Sequence, residues 1–203
     1  IFIHWGVYSV PAWAPKNQYA EWYGHFMHVN DSPTSRFHTE QFGKNFEYEK
    51  FAEQFKAELF DAVEWAKLFK ASGAGYVILT SKHHDGFCLW PSKQSPGWNS
   101  VDKGPKIDIA KTLSKAVRAQ GLKMCYYYSL YEWHNSLYKN NVNKYVTEHM
   151  LPQLTDLVKN YKPALIFADG EWDHNSEIWQ SEQFLAWLFN KSPVKDSVVV
   201  NDR

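Results

Sequence analysis

One carboxylate in this chain, Asp169, is the first candidate for a catalytic group because of its position in the sequence. It directly follows five apolar residues, 164–168, and precedes Gly170, Glu171 and Trp172. A continuous apolar run predicts a strand buried on both faces of a parallel sheet, and barrel enzymes keep catalytic groups at the carboxyl ends of such strands. Asp169 is therefore a candidate nucleophile or acid/base, with the N-cap of a following helix as the structural alternative.

Polar side chains also follow the other predicted strands. With Asp169 they form the set His4, His83, His84, Tyr128 and Arg203. If the strand ends converge, the imidazoles and the guanidinium provide partners for sugar hydroxyls, and Asp169 provides an attacking carboxylate. Retaining glycoside hydrolysis uses such a carboxylate, with a second one about 5–5.5 Å away as the acid/base. The set predicts a sugar site only as a group, because each residue alone is typical of ordinary core or surface.

A metal site is the main chemical alternative for these residues. His4, His83, His84 and Asp169 carry the donor atoms of a hydrolytic zinc centre. Their spacing matches neither an HExxH nor an HxH motif, and aromatic residues crowd the same segments. We therefore expect no metal and no other cofactor.

The elements that must position these groups alternate between strands and helices. Strands are predicted over 1–6, 76–81, 124–130, 164–169 and 197–200. Helices are predicted over 61–74, 107–120, 145–161 and 181–190, with Asp61 as an N-cap and a break near Pro152. An irregular, aromatic-rich segment covers 7–60. Such alternation indicates an α/β fold built from βα repeats.

A barrel and an open doubly wound sheet both fit this order of elements. No glycine-rich dinucleotide turn follows any strand, and every strand has a different polar ending, which favours a (β/α)8 barrel with one shared site. A complete barrel takes about 250 residues. Residues 1–203 are therefore predicted to form one partial catalytic domain, an incomplete (β/α)8 (TIM-like) barrel with roughly its first five to six strands.

Composition excludes two classes of partner. The 22 basic residues balance the 22 acidic ones, so no nucleic acid partner is expected. No apolar stretch approaches the roughly 20 residues of a membrane helix. Aromatic residues make up 17% of the chain although the mean hydropathy is −0.52, a combination that favours rings lining a polar cleft, as in sugar sites.

Five segments in order carry a family resemblance. They are 1–6 (IFIHWG), 21–23 (EWY), 83–87 (HHDGF), 127–129 (YYS) and 167–172 (FADGEW). With these motifs the chain resembles the catalytic domain of retaining α-L-fucosidases of glycoside hydrolase family 29. The resemblance implies that Asp169 forms a covalent glycosyl-enzyme intermediate. It implies that fucose is held by His4, Glu21, Trp22, His83, His84, Tyr128 and Arg203, and Trp172 is a candidate aromatic wall for the methyl group of fucose.

The same resemblance places the family's general acid/base beyond Arg203, outside this sequence. Glu171 is a possible substitute acid/base, and Asp173 is a second carboxylate close by. The expected function is hydrolysis of terminal α-L-fucose from fucosylated glycans or small fucosides. A non-catalytic or weakly active fucose-binding partial barrel is the alternative.

Two further expectations follow from a partial barrel in this family. Open strand edges invite pairing with another copy, so a homo-oligomer through the barrel edges is expected. A secreted, periplasmic or lysosomal setting suits the family.

Overall fold

The computed structural model describes residues 1–202 and contains a parallel sheet in sequence order. Its strands are β1 (Phe2–Ile3), β2 (Tyr76–Lys82), β3 (Lys123–Ser129), β4 (Leu165–Asp169) and β5 (Val199–Val200). Each strand pairs in parallel with the next one along the chain. This order is that of a barrel opened along one side, and the predicted incomplete α/β barrel is confirmed.

Helices connect the strands, as βα repetition requires. Their bounds are α1 (Tyr23–Phe26), α2 (Pro33–Phe42), α3 (Phe51–Gln54), α4 (Ala62–Ala71), α5 (Ile109–Ala119), α6 (Ser136–Asn140), α7 (Val142–Lys144), α8 (Leu151–Tyr161), α9 (Ser176–Trp179) and α10 (Ser181–Asn190). Short 3₁₀ turns cover Val7–Ser9, Ala20–Trp22 and Tyr48–Lys50, and a π-helix covers Tyr145–Met150. In the described part of the chain, no helix combines the length and the apolar character needed to cross a membrane.

Local chemistry explains where the main helices begin. Asp61 caps α4 by accepting from the backbone N–H groups of Val63 and Glu64, as predicted. Near Pro152 the chain does not leave the helical conformation, and the predicted break is a change of helix type, from the π-helix Tyr145–Met150 to α8, which begins at Leu151 with proline in its first turn.

The two faces of the sheet are filled differently. The main core lies between the sheet and the helices, whereas a small cluster of Ile78, Cys125 and Tyr127 occupies the other face, packed against Leu165 and Phe167. Only Ile166 of β4 is fully buried. The expectation that 164–168 is buried on both faces is therefore wrong, since the inner face of β4 opens into a cavity.

The irregular segment is more ordered than the sequence predicts. It contains α2, which Ser32 caps by accepting from the Ser35 N–H, with Pro33 at the first helical position. Conversely, β1 covers only two of the six residues predicted as strand, because the chain turns at Gly6 into a 3₁₀ helix.

Candidate active site

A cavity of about 560 Å³ opens at the carboxyl ends of β1 to β4. Its charged and polar lining consists of His4, Glu21, His83, His84, Tyr127 and Asp169. Its remaining aromatic lining consists of Phe2, Tyr19, Trp22, Phe26, Phe167 and Trp172. Of the nine predicted site residues within residues 1–202, seven line this cavity: His4, Glu21, Trp22, His83, His84, Asp169 and Trp172.

Asp169 is the last residue of β4, and its side chain faces the cavity. The hydroxyl of Tyr127 donates to Asp169 Oδ2 at 2.8 Å, and the backbone N–H of Leu130 donates to the Asp169 carbonyl at 2.7 Å. The next helix, α9, is capped by Asn175. The N-cap alternative for Asp169 is therefore wrong, and the carboxylate is held at the site by the neighbouring strand.

The two adjacent histidines lie in the turn after β2 and are almost completely buried, at 3% and 1% exposed for His83 and His84. His84 Nδ1 lies 2.6 Å from Ser129 Oγ, and its ring contacts Trp22 and Trp172 edge to face. The ring of His83 stacks on that of Tyr127. Both imidazoles are thus fixed by packing before any ligand arrives.

Burial keeps the imidazoles of this cavity neutral. It lowers the pKa of His83 well below its usual value, and the His84 and His4 rings lower it further. It also lowers the pKa of His84, to about 3. Burial lowers the pKa of His4 as well, although the Glu21 carboxylate opposes this. A neutral imidazole can donate from one nitrogen and accept at the other, which suits sugar hydroxyls.

Three of these side chains also have the chemistry of a metal site. Ligand atoms of His4, Glu21 and His83 all lie within 4.8 Å of one another, and neutral imidazoles are common zinc ligands. The same donors fit vicinal hydroxyls of a sugar equally well. His83 Nδ1 has no hydrogen-bond partner among residues 1–202, so this nitrogen is available to a ligand of either kind.

Trp22 and Trp172 lie where the sequence predicts them. Trp22 ends the 3₁₀ turn Ala20–Trp22, and the two indoles stack with ring centres 5.9 Å apart. Trp172 is 48% exposed at the rim of the cavity. Arg203 lies outside the described residues.

Two predicted residues are not brought to the cavity. Tyr128 points to the opposite face of β3, where it is fully buried and donates to Gln153 Oε1 at 2.8 Å. Glu171 lines a different cavity of about 130 Å³ between β4, α8 and α10. Gly170, with φ +81°, breaks the alternation of side chains, and Glu171 therefore leaves the face that Asp169 occupies.

Sequence reasoning missed Tyr127, Phe2 and Phe167. The three rings contact one another, with centres 5.2 to 6.1 Å apart, and form one wall of the cavity. The signal was present in β3, where Met124 marks the core-facing side and alternation assigns Tyr127 to the other side.

A half-barrel sheet whose strand ends surround an aromatic cavity with neutral imidazoles and carboxylates is the arrangement of barrel glycoside hydrolases. Comparison with known proteins agrees. The profile of the alpha-L-fucosidase family matches residues 1–203, and the chain belongs to this family.

Individual relatives support the assignment. Over 214 residues, the chain is 50% identical to the alpha-L-fucosidase of Dictyostelium discoideum, covering 100% of this chain and 46% of that protein. It is 46% identical over 210 residues to the human tissue alpha-L-fucosidase, covering 100% of this chain and 44% of that protein. The crystal structure of Thermotoga maritima alpha-fucosidase in complex with fucose superposes with a TM-score of 0.84 at 41% identity, covering 100% of this chain and 51% of that one. The chain thus spans about half the length of the proteins it matches.

Proposed function

We propose that the protein containing this chain is a retaining exo-α-L-fucosidase with Asp169 as its nucleophile. The observation that carries the proposal is the carboxylate of Asp169, at the end of β4, in a cavity whose other polar groups are suited to sugar hydroxyls. The Thermotoga maritima relative at 41% identity holds fucose.

In the first step the Asp169 carboxylate attacks the anomeric carbon. An ester bond forms to the enzyme while the glycosidic C–O bond breaks, and the leaving oxygen takes a proton from a general acid. In the second step water attacks the same carbon, the ester breaks, and the water gives its proton to the same group acting as a base. Two inversions leave the product with retained configuration.

The neutral imidazoles and Glu21 hold the sugar ring. His4, Glu21 and His83 converge within 4.8 Å, which is the spacing needed to bind neighbouring hydroxyls together. Trp22, between His84 and Trp172, contributes an apolar face and an indole N–H. We assign the methyl group of fucose to the wall of Phe2, Tyr127 and Phe167, because these rings offer it an apolar surface.

The acid/base is the part of the mechanism that the described residues do not supply. Within residues 1–202, Glu21 and Asp169 are the carboxylates that line the cavity. Glu171 lies in the other cavity, and Asp173 accepts from the Tyr138 hydroxyl at 2.9 Å. We therefore assign the acid/base to a residue outside this range, and Glu21 to hydroxyl binding.

Covalent trapping tests the proposal. A 2-deoxy-2-fluoro-α-L-fucosyl fluoride should release fluoride and add one fluorofucosyl group to the full-length protein, mapped by peptide mass to Asp169. Asp169→Ala should abolish labelling and hydrolysis of an aryl α-L-fucoside, whereas the exposed Asp196→Ala should change neither. Labelling elsewhere would refute the assignment of the nucleophile.

Two further outcomes separate the alternatives. Fucose binding without turnover of any fucoside by the full-length protein would favour a non-catalytic binding protein. Loss of aryl-fucoside hydrolysis on chelation, restored by zinc, would favour a metal centre at His4, Glu21 and His83.

For a chain of these 203 residues alone, we propose self-association through strand edges. Phe2 in β1 and Val199 in β5 are 41% and 53% exposed, at opposite edges of the described sheet. Exposed strand edges favour pairing between copies. A monodisperse monomer by light scattering at micromolar concentration would contradict this proposal.

A further inference from the structure

A fully buried ion pair lies behind the cavity and takes no part in the chemistry described above. Lys82 Nζ and Glu132 Oε2 are 2.6 Å apart, and their side chains are 0% and 1% exposed. Burying two charges carries a desolvation cost that can exceed their mutual attraction. Burial raises the pKa of Glu132, but the Lys82 ammonium and His149 outweigh burial and lower the pKa of Glu132 to about 2. The attraction within the pair is therefore strong.

Each member of the pair directly precedes a residue that lines the candidate site or packs against its lining, since the ring of Trp133 contacts those of Trp22 and His84. Lys82 is the last residue of β2 and is followed by His83 and His84, while Glu132 is followed by Trp133. The Trp133 N–H donates to the His84 carbonyl at 2.9 Å. The pair therefore joins the β2 turn to the loop after β3 at the point where both meet the cavity wall.

Gly86 shows how closely the two segments approach. Its φ is +73°, and a Cβ at this position would lie 2.5 Å from Glu132 Oε1. The Glu132 carboxylate thus fills the space beneath the turn that carries both histidines. The turn can take this position only with glycine here, since any other side chain would collide with the carboxylate.

A second branch of the network reaches the nucleophile. The hydroxyl of Tyr145 accepts from Lys82 Nζ at 3.2 Å and donates to the Leu130 carbonyl at 2.9 Å. The Leu130 N–H in turn donates to the Asp169 carbonyl at 2.7 Å. One ion pair is thereby connected to the backbone of His84 on one side and of Asp169 on the other.

The π-helix Tyr145–Met150 supplies the remaining members of the network. Tyr145 and His149 lie four residues apart with stacked rings, and His149 Nε2 is 3.4 Å from Glu132 Oε2. π-helical turns are rare and frequent at functional sites. Here the wider turn presents both side chains to the buried carboxylate.

We infer that the Lys82–Glu132 pair is a positioning device, which fixes the β2 turn and the loop after β3 so that His84 and Asp169 face the substrate in register. The inference rests on the proposed fucosidase function. Neither residue touches the substrate, since both lie outside the cavity lining.

The test compares variants that remove one charge of the pair with a double variant that removes both charges. Lys82→Met and Glu132→Gln each leave one buried charge uncompensated, and the double variant Lys82→Met/Glu132→Met removes both. Lys67→Met is the matched control, because Lys67 makes an exposed ion pair with Glu64 at the same 2.6 Å distance. All are made in the full-length protein and assayed with an aryl α-L-fucoside, thermal melting, and far- and near-UV circular dichroism.

The single variants should melt at a lower temperature than wild type. Their kcat should fall by about 10²-fold, which is the effect of a displacement near 1 Å at reacting groups, and KM should change less. The double variant should recover its melting temperature without recovering kcat. Its near-UV signal, to which the packed indoles of Trp22, Trp133 and Trp172 contribute, should stay reduced while the far-UV spectrum matches wild type. Lys67→Met should match wild type throughout.

Recovery of kcat and of the near-UV signal together with melting temperature in the double variant would overturn the inference, because the pair would then serve stability alone. If the single variants do not fold, the double variant decides. An inactive wild-type protein would refute the proposed function instead, and the near-UV comparison would still test the positioning of the indoles.

Discussion

Removing the hydroxyl of Tyr127 should slow the proposed reaction without disturbing the fold. The hydroxyl donates to Asp169 Oδ2 at 2.8 Å. Burial raises the pKa of Tyr127, and the Asp169 carboxylate raises it further, so the group stays a donor at every pH of interest. A bond to one oxygen restrains the orientation of the Asp169 carboxylate, and reaction rates depend steeply on the position of the reacting group. Tyr127→Phe deletes it and keeps the ring against Phe167.

The size of the effect follows from the kind of bond. A hydrogen bond to a charged group is worth about 1.5–3 kcal/mol, and 1.36 kcal/mol corresponds to a tenfold change in rate. In the proposed mechanism this bond orients the attacking carboxylate, so its loss should lower kcat by about 10- to 100-fold while KM changes far less.

The assay is hydrolysis of an aryl α-L-fucoside by the full-length protein, with kcat and KM measured separately at one pH. Tyr126→Phe is the matched control, since Tyr126 lies on the same strand but on its opposite face and donates to the Ala110 carbonyl. It removes the same group and should leave kcat unchanged. Equal kcat values in Tyr127→Phe and Tyr126→Phe would refute the role assigned to the Tyr127–Asp169 bond.

Three other outcomes are expected. Gly170→Ala should lower the free energy of unfolding, measured in urea, by about 1–3 kcal/mol more than Gly121→Ala does. Both glycines have positive φ, but only a Cβ at position 170 would meet a neighbour, 2.5 Å away, so equal losses would contradict the close packing. Glu21→Gln should lower kcat/KM equally for fucosides with good and poor leaving groups, whereas a larger loss with poor ones would make Glu21 the acid. Neutral His84, with its pKa lowered by burial to about 3, should stabilise the folded protein fully above pH 6.5. That stabilisation should fade by about 1.4 kcal/mol per pH unit below 6.5, and His84→Gln should lose this slope in urea titrations at successive pH values.

The strand order and the edge of the sheet that carries the candidate site could be predicted because they depend on local patterns. Apolar runs ended by polar residues mark β2, β3 and β4, and parallel strands bring their carboxyl ends to one edge. His83 and His84 follow β2 directly, so no knowledge of side-chain direction was needed to place them. The same logic assigned Asp169 its position at the end of β4.

Side-chain direction was the point at which sequence reasoning failed. Tyr127 and Tyr128 are adjacent and chemically identical, and only the parity of β3 decides which one meets Asp169. Glu171 illustrates the complementary problem, because strand alternation predicts that it shares a face with Asp169. The positive φ of Gly170 reverses that expectation, and the sequence shows a glycine without showing its dihedral angle.

The protonation states in the cavity determine which ligands it can favour. Burial keeps the imidazoles of His83 and His84 uncharged, and the described lining contains the carboxylates of Glu21 and Asp169 but neither lysine nor arginine. An anionic group such as a phosphate would find donors there but no compensating charge within residues 1–202. A glycosidic bond that breaks through an oxocarbenium-like state develops positive charge at the carbon facing Asp169, and fixed negative charge stabilises that state more than the neutral sugar. In the proposed reaction the neutral imidazoles bind hydroxyls without adding positive charge, so the attraction between the Asp169 carboxylate and the reacting carbon can grow as positive charge develops there.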